Sequence, residues 1–206
     1  ILSLILIAAL MITGINIKTV KTYAKDTNKK AITAYRKLLS KEKHKWREDY
    51  SSAPDVNKTK NYKFACIDLN GDGIKELVVE NPEACWADGS VKIFRYVKGK
   101  VKKVLLCHGF EWYKKSKIIL VNDAHTGAYW GTYYKIKNNG KIVKKAEAKH
   151  KESFYGMTVY YTSYKINGKE TSYKKYKAAL KKMLKAKKYT KIQLYKNTED
   201  NRDLYL

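Results

Sequence analysis

Four short turn signals punctuate the middle of the chain, and the residues around them tend to alternate between apolar and polar. They are Asn70-Gly71-Asp72-Gly73, Lys98-Gly99-Lys100, Asn138-Asn139-Gly140 and Asn167-Gly168. Glycine and asparagine accept the backbone angles of tight hairpins, and a period of two puts alternate side chains on opposite faces of a strand. The flanking runs are Tyr62–Ile67 and Leu77–Val79, Val91–Val97 and Val101–Cys107, Tyr129–Lys137 and Lys141–Ala146, and Met157–Ile166. Lys117–Val121 reads as a further strand. Strands joined by short turns pair with their neighbours, so the expectation is an antiparallel sheet of about seven meander strands.

The period changes to that of a helix at both ends. Asp26 or Thr27 is suited to cap a helix running to about Tyr50, with Ile32, Tyr35, Leu39 and Trp46 on one face. Ser51-Ser52-Ala53-Pro54-Asp55 then ends it, because the residue before proline avoids helical angles. Near the other end Thr171 or Ser172 caps a helix whose stripe is Tyr173, Tyr176, Leu180, Met183 and Lys187. Lys188-Tyr189-Thr190 closes it, and Ile192–Tyr195 is expected as a last short strand before a polar tail. The fold class is therefore α+β, with an N-terminal and a C-terminal helix packed against the sheet. At 206 residues there is room for one sizeable core, so residues 25–206 read as a single domain.

Ile1–Ile17 is almost wholly apolar and is followed by Lys18, Lys21 and Thr22-Tyr23-Ala24. Small residues at Thr22 and Ala24 suit a signal peptidase, so residues 1–24 read as a signal peptide cleaved after Ala24. The chain opens on Ile, and a basic segment is expected upstream of it. The alternative is an uncleaved membrane anchor, since 17 apolar residues stand at the short edge of spanning length. Either places the domain outside the cell, secreted or at the cell surface. No cysteine follows the apolar run, which excludes a lipid-attachment box. Cys66, Cys85 and Cys107 fit one disulfide with a free thiol, or three buried thiols, and their spacing does not suit zinc.

The formal charge is 44 − 19 = +25, or +23 without Lys18 and Lys21, and only Arg36, Arg47, Arg95 and Arg202 are not lysine. Abundant Lys, Tyr, Asn and Ile with little Pro is also what an AT-rich genome writes, so part of this charge reads as solvated surface. The rest favours acidic polymers as partners. Lysine is a hydrated point charge without the planar fork used for base edges, and no nucleic-acid motif is present, so nucleic acid is the weaker candidate.

Asp68-Leu69-Asn70-Gly71-Asp72-Gly73-Ile74-Lys75-Glu76-Leu77 carries the clearest chemistry. Counting Asp68 as position one, oxygen side chains stand at one, three, five and nine, and Ile74 offers a backbone carbonyl at seven. Alternation by two turns such groups to the inside of a curling loop, where they converge on a hard cation. The stretch resembles the calcium loops of FG-GAP and integrin-type β-propeller repeats, Asp-x-Asp/Asn-x-Asp-Gly-x-x-Asp/Glu-Leu, and the first half of an EF-hand loop. It departs from the EF-hand at position twelve, where Val79 stands in place of a bidentate Glu, and its flanks are strands. The resemblance implies a structural calcium held by Asp68, Asn70, Asp72, Ile74 and Glu76 in a local hairpin site; one copy makes no propeller. A metal-free turn and magnesium are the competing readings.

Two further constellations remain. Asp123 and His125, with Cys85 or Cys107 as nucleophile, would serve an envelope hydrolase using the loop as scaffold. Tyr129-Trp130, Tyr133-Tyr134, Phe154-Tyr155 and Tyr160-Tyr161 place one ring of each pair on the solvent face, where rings flanked by lysine stack on sugars. Ordinary sheet composition also supplies such tyrosines. The expectation is an exported, non-enzymatic, monomeric protein of a Gram-positive-like envelope, with a calcium clip and a Lys/Tyr surface for an anionic cell-wall polymer or glycan. It would meet a membrane only through an uncleaved N-terminal segment.

Overall fold

The computed structural model describes residues 23–46, 57–84, 89–125, 128–151, 161–185 and 188–206. The segment 1–22, and with it nearly all of the expected leader, lies outside the described residues, as do Cys85, Phe154-Tyr155 and Tyr160. No helix among the described residues is long and apolar enough to cross a membrane.

The α+β class and its antiparallel strands are as the sequence reads, and the strands divide between two sheets. β1 (Lys63–Ile67), β2 (Glu76–Glu80), β3 (Val91–Val97) and β4 (Lys100–Cys107) form a meander, and β11 (Tyr195–Lys196) returns from the C-terminus to pair with β1. β5 (Glu111–Tyr113), β6 (Ile118–His125), β7 (Ala128–Ile136), β8 (Ile142–Lys151), β9 (Tyr161–Ile166) and β10 (Lys169–Glu170) form the second meander. Alternation then sets the layers. Ala65, Val78 and Ile93 of the first sheet meet Ile119, Val121 and Ile136 of the second. On its other face the first sheet presents Phe64, Leu77, Val79 and Phe94 to helix α1, residues 23–39, through Ala31, Tyr35 and Leu39. The second sheet presents Leu120, Tyr133 and Ala146 to α2 (Tyr173–Leu184) through Tyr176. The order is helix, sheet, sheet, helix, with the apolar face of each element buried against the next.

α1 stops eleven residues short of the expected Tyr50, and hydrogen bonding explains why. The carbonyl of Leu39, orphaned at the helix end, accepts from the buried Asn197 Nδ2 at 2.9 Å, which also reaches Thr59 O at 2.8 Å. The chain then turns so that Trp46 packs edge-on to Tyr62, ring centroids 5.1 Å apart, and donates Nε1–H to Gly89 O at 2.9 Å. A continued helix would carry Trp46 about 10 Å beyond Leu39, past the sheet. At the other end Ser172 caps α2 as expected, and Lys185 ends it in the left-handed region. The polar tail forms a helix, α3 (Glu199–Tyr205), capped by Thr198 with Glu199 and Asp200 in its first turn. Arg36 of α1 pairs with Asp203 and donates to Arg202 O, tying the two ends of the domain together.

Candidate functional site: the acidic loop and the outer face

The acidic loop joins β1 to β2 with its side chains turned inward. Asp68 Oδ1 accepts from the N–H groups of Gly71 at 2.7 Å and Asp72 at 3.2 Å, and its Oδ2 accepts from Gly73 at 2.9 Å. Asn70 Oδ1 accepts from Asp72 N at 3.1 Å, and Asp72 Oδ1 from Ile74 N at 3.1 Å. Gly71 and Gly73 sit at φ +81° and +85°, where a side chain is strained. The spacing thus brings Asp68, Asn70 and Asp72 to one side of one curl.

Glu76 joins them through a residue the sequence reading passed over. It is 0% exposed; Oε2 accepts from Leu69 N at 2.8 Å, and Oε1 is paired with Arg95 of β3. Arg95, 1% exposed, also pairs with Asp72 and donates to Asn138 O at 3.0 Å. Burial pushes the Glu76 carboxyl up to about 7, against the lowering effect of Arg95. The neighbouring Glu76 and Asp72 hold Arg95 charged although its burial works the other way. Asp68 and Asp72 less one guanidinium leave 2 − 1 = 1 negative charge at the loop while Glu76 holds its proton, and one more once it ionises.

These donors can be matched to calcium. Asp68, Asn70 and Asp72 each keep lone pairs beyond the N–H bonds they accept, the Ile74 carbonyl follows at position seven, and the residual charge is negative. Glu76 is placed differently from the rest: it alone of the four is fully buried, with its oxygens on a guanidinium and a backbone N–H. Neighbouring elements hold the loop in place. Asn28 Oδ1 accepts from Lys75 N at 2.9 Å, Tyr35 donates to Lys75 O at 3.0 Å, and Trp112 Nε1–H reaches Leu69 O at 3.2 Å. Tyr35 is signalled by the apolar stripe of its helix, and Arg95 stands out as the one arginine in a strand that is apolar apart from Lys92.

The Asp123/His125 constellation is described only in part. Asp123 faces the first sheet and pairs with His108 Nε2 at 3.2 Å; the His125 side chain lies outside the described residues. Cys107 is buried, and desolvation pushes its thiol up to about 12, far from a thiolate at neutral pH. Cys66 is likewise reduced, raised by burial to about 11.

On the outer face of the second sheet, α2 covers only part of the strands. Beyond it lies an open groove of roughly 670 Å³, with Gly131, Ala148 and Ala124 along its floor and Tyr129, Tyr164 and His150 beside them. Tyr129 is 51% exposed. The lysines of α2 (Lys174, Lys175, Lys177, Lys181 and Lys182) are all exposed. Compared with protein-family models, curated proteins and solved structures, the chain matches none of them.

Proposed function

We propose that this is an exported, non-enzymatic protein, secreted or held at the cell envelope, that engages an anionic polymer or glycan through its Lys/Tyr surface and is clipped by one structural calcium. The carrying observation is α2. It holds five exposed lysines and no acidic residue in twelve positions, and Tyr176 is its one buried side chain. Like charges one turn apart, such as Lys177 and Lys181, cost a few tenths of a kcal/mol each in a helix. An anionic polymer laid along that face would relieve the repulsion and release counterions. Calcium would supply charge neutralisation at the loop, held by Asp68, Asn70, Asp72 and the Ile74 carbonyl, with Glu76 bracing the curl through Arg95 and Leu69. That ties the β1–β2 connection to β3.

The test is retention on heparin and on purified cell-wall polymer over a salt series, for the wild type and for Lys174→Glu/Lys177→Glu/Lys181→Glu. Wild-type retention that weakens steeply with salt, and is largely lost in the triple variant, supports the proposal. Retention unchanged by the triple variant, or absent at low salt, overturns it. A hydrolase reading has the His108–Asp123 pair in its favour; of its two candidate nucleophiles Cys107 is buried with its thiol pushed up, and Cys85 lies outside the described residues.

A further inference from the structure

The anionic-polymer reading leaves open what kind of polymer, and the outer groove narrows it. Pairing across β6, β7, β8 and β9 sets Asn122, Gly131, Ala148 and Tyr164 in one row, and Ala124, Tyr129, His150 and Thr162 in the next. All eight point away from the first sheet. Where α2 packs, the preceding row is Leu120, Tyr133, Ala146 and Ile166, so that on β7 a tyrosine gives way to Gly131 in the next row. At the margin of that contact, where Tyr164 and Ala148 still touch the α2 cluster, the middle strands carry Gly131 and Ala148, which leaves the depression between flanking rings.

Three features of this depression bear on its occupant. The floor is apolar and open, so it takes a flat apolar face. The Asn122 amide oxygen lies over Gly131, 3.2 Å from where a Cβ would stand, so a hydrogen-bonding group looks into the groove. Thr162 Oγ1 and His150 Nδ1, 3.0 Å apart, add a hydroxyl and an imidazole on the other side. Apolar floor, aromatic flank and hydrogen-bonding rim match a pyranose ring, which has C–H faces and equatorial hydroxyls; Lys149 and Asp123 also line the groove, one charge of each sign. The charge lies at one end. Tyr164 packs on Tyr173 of α2 at 5.1 Å, and Lys177 Nζ stands 5.3 Å from the Tyr173 ring, so the aromatic run leads from the groove onto the lysines.

We propose that this groove is a glycan subsite: it seats a hexopyranose ring against Tyr129 and Tyr164, and the α2 lysines take the carboxylates of neighbouring sugars. The partner is then an acidic polysaccharide of the uronic-acid type. This rests on the anionic-polymer reading, and it requires sugar rings where that reading requires only charge.

Calorimetric titration with a galacturonate hexamer and with poly-L-glutamate of similar charge separates the two. Tyr129→Ala removes an exposed ring, and Ala148→Leu fills the floor at the margin of the α2 cluster; neither lies in the core between the sheets. In about 150 mM salt, where long-range attraction is screened, the hexamer is expected to bind the wild type more tightly than poly-L-glutamate does. Each variant should weaken the hexamer about tenfold, on the scale of one lost aromatic stack, and leave poly-L-glutamate unchanged. Hexamer and poly-L-glutamate binding equally, with both variants inert, overturns the subsite and leaves the charge reading standing. Failure of both probes to bind even at low salt overturns both.

Discussion

At the scale of residues, Arg95 is the most consequential side chain of the fold. It stands between the sheets with Glu76 and Asp72 on its guanidinium, and Glu76 has no solvent to turn to. Removing one partner of a buried pair strands the other charge, at a cost of about 3–5 kcal/mol. Arg95→Met should lower stability by that amount in urea unfolding, and Arg95→Met/Glu76→Gln should recover a good part of it. A double variant as unstable as the sum of the single ones would show the pair to be uncoupled. The same site gives a pH dependence. Glu76 rises from an ordinary value of 4.5 to about 7 in the folded protein. Between those values the folded state holds a proton that the unfolded state has lost, so the contribution of Glu76 to stability falls as pH rises from 4.5 to 7 and levels above it. Relative to Glu76→Gln, the wild type should therefore lose ground across that window; a constant difference would show that Arg95 keeps the carboxylate ionised throughout. Nothing in the sequence pairs position 95 with 76, because cross-strand and cross-sheet neighbours follow from a register that the sequence does not state. Asp68, Asn70 and Asp72 were legible because alternation inside one loop is a local property.

At the scale of elements, the β1–β2 hairpin is where metal would act. Its curl is already supported by five N–H bonds to the side chains of Asp68, Asn70 and Asp72, so calcium adds to an existing structure. An extracellular loop of this type binds at about 10⁻⁴–10⁻³ M. At millimolar calcium the gain is about 0.5–2 kcal/mol, equivalent to a rise in Tm of roughly 1–8 °C for a domain of this size. Chelator should reverse that rise, and Asp68→Asn, which keeps an accepting oxygen for the loop while removing a charge, should abolish it. A wild-type midpoint indifferent to both calcium and chelator would remove the metal from the account. The helices show where local signals end. Ser172 before an amphipathic stripe marked α2 correctly, since capping and periodicity are contained in the segment. The end of α1 was misplaced because what stops it, Asn197, lies 158 residues away and gives no local sign. α3 forms where a polar tail is expected, and Thr198 followed by Glu199 and Asp200 is its local N-terminal signal.

At the scale of the whole molecule, the meander was readable and its division into two sheets was not. Each turn signal fixes an antiparallel neighbour, but whether the link from β4 to β5 continues one sheet or folds over to start another depends on which apolar faces need cover. Both faces of β2 are buried, as Leu77, Val78 and Val79 together indicate, and a sheet with one solvated face would not have needed that. The layered core must also hold against the charge around it. A formal +25 on one domain repels itself, which destabilises the compact state relative to an expanded chain. Sodium chloride screens surface charges over about 10 Å at 0.1 M and less at higher concentration, while the Arg95–Glu76 pair, out of contact with solvent, is screened far less. Screening therefore removes more repulsion than attraction, and Tm should climb as chloride goes from about 10 to 300 mM, before any polymer is added. Chloride is the right salt, because sulfate would also strengthen apolar burial and hide the sign. Heparin at low salt should produce the same climb at a far lower ionic concentration, by placing compensating charge against α2. A Tm that falls with chloride would mean that surface ion pairs such as Lys63–Glu80 and Arg36–Asp203 outweigh the repulsion, and the lysine field would then lose its standing as the force that draws a polyanion in.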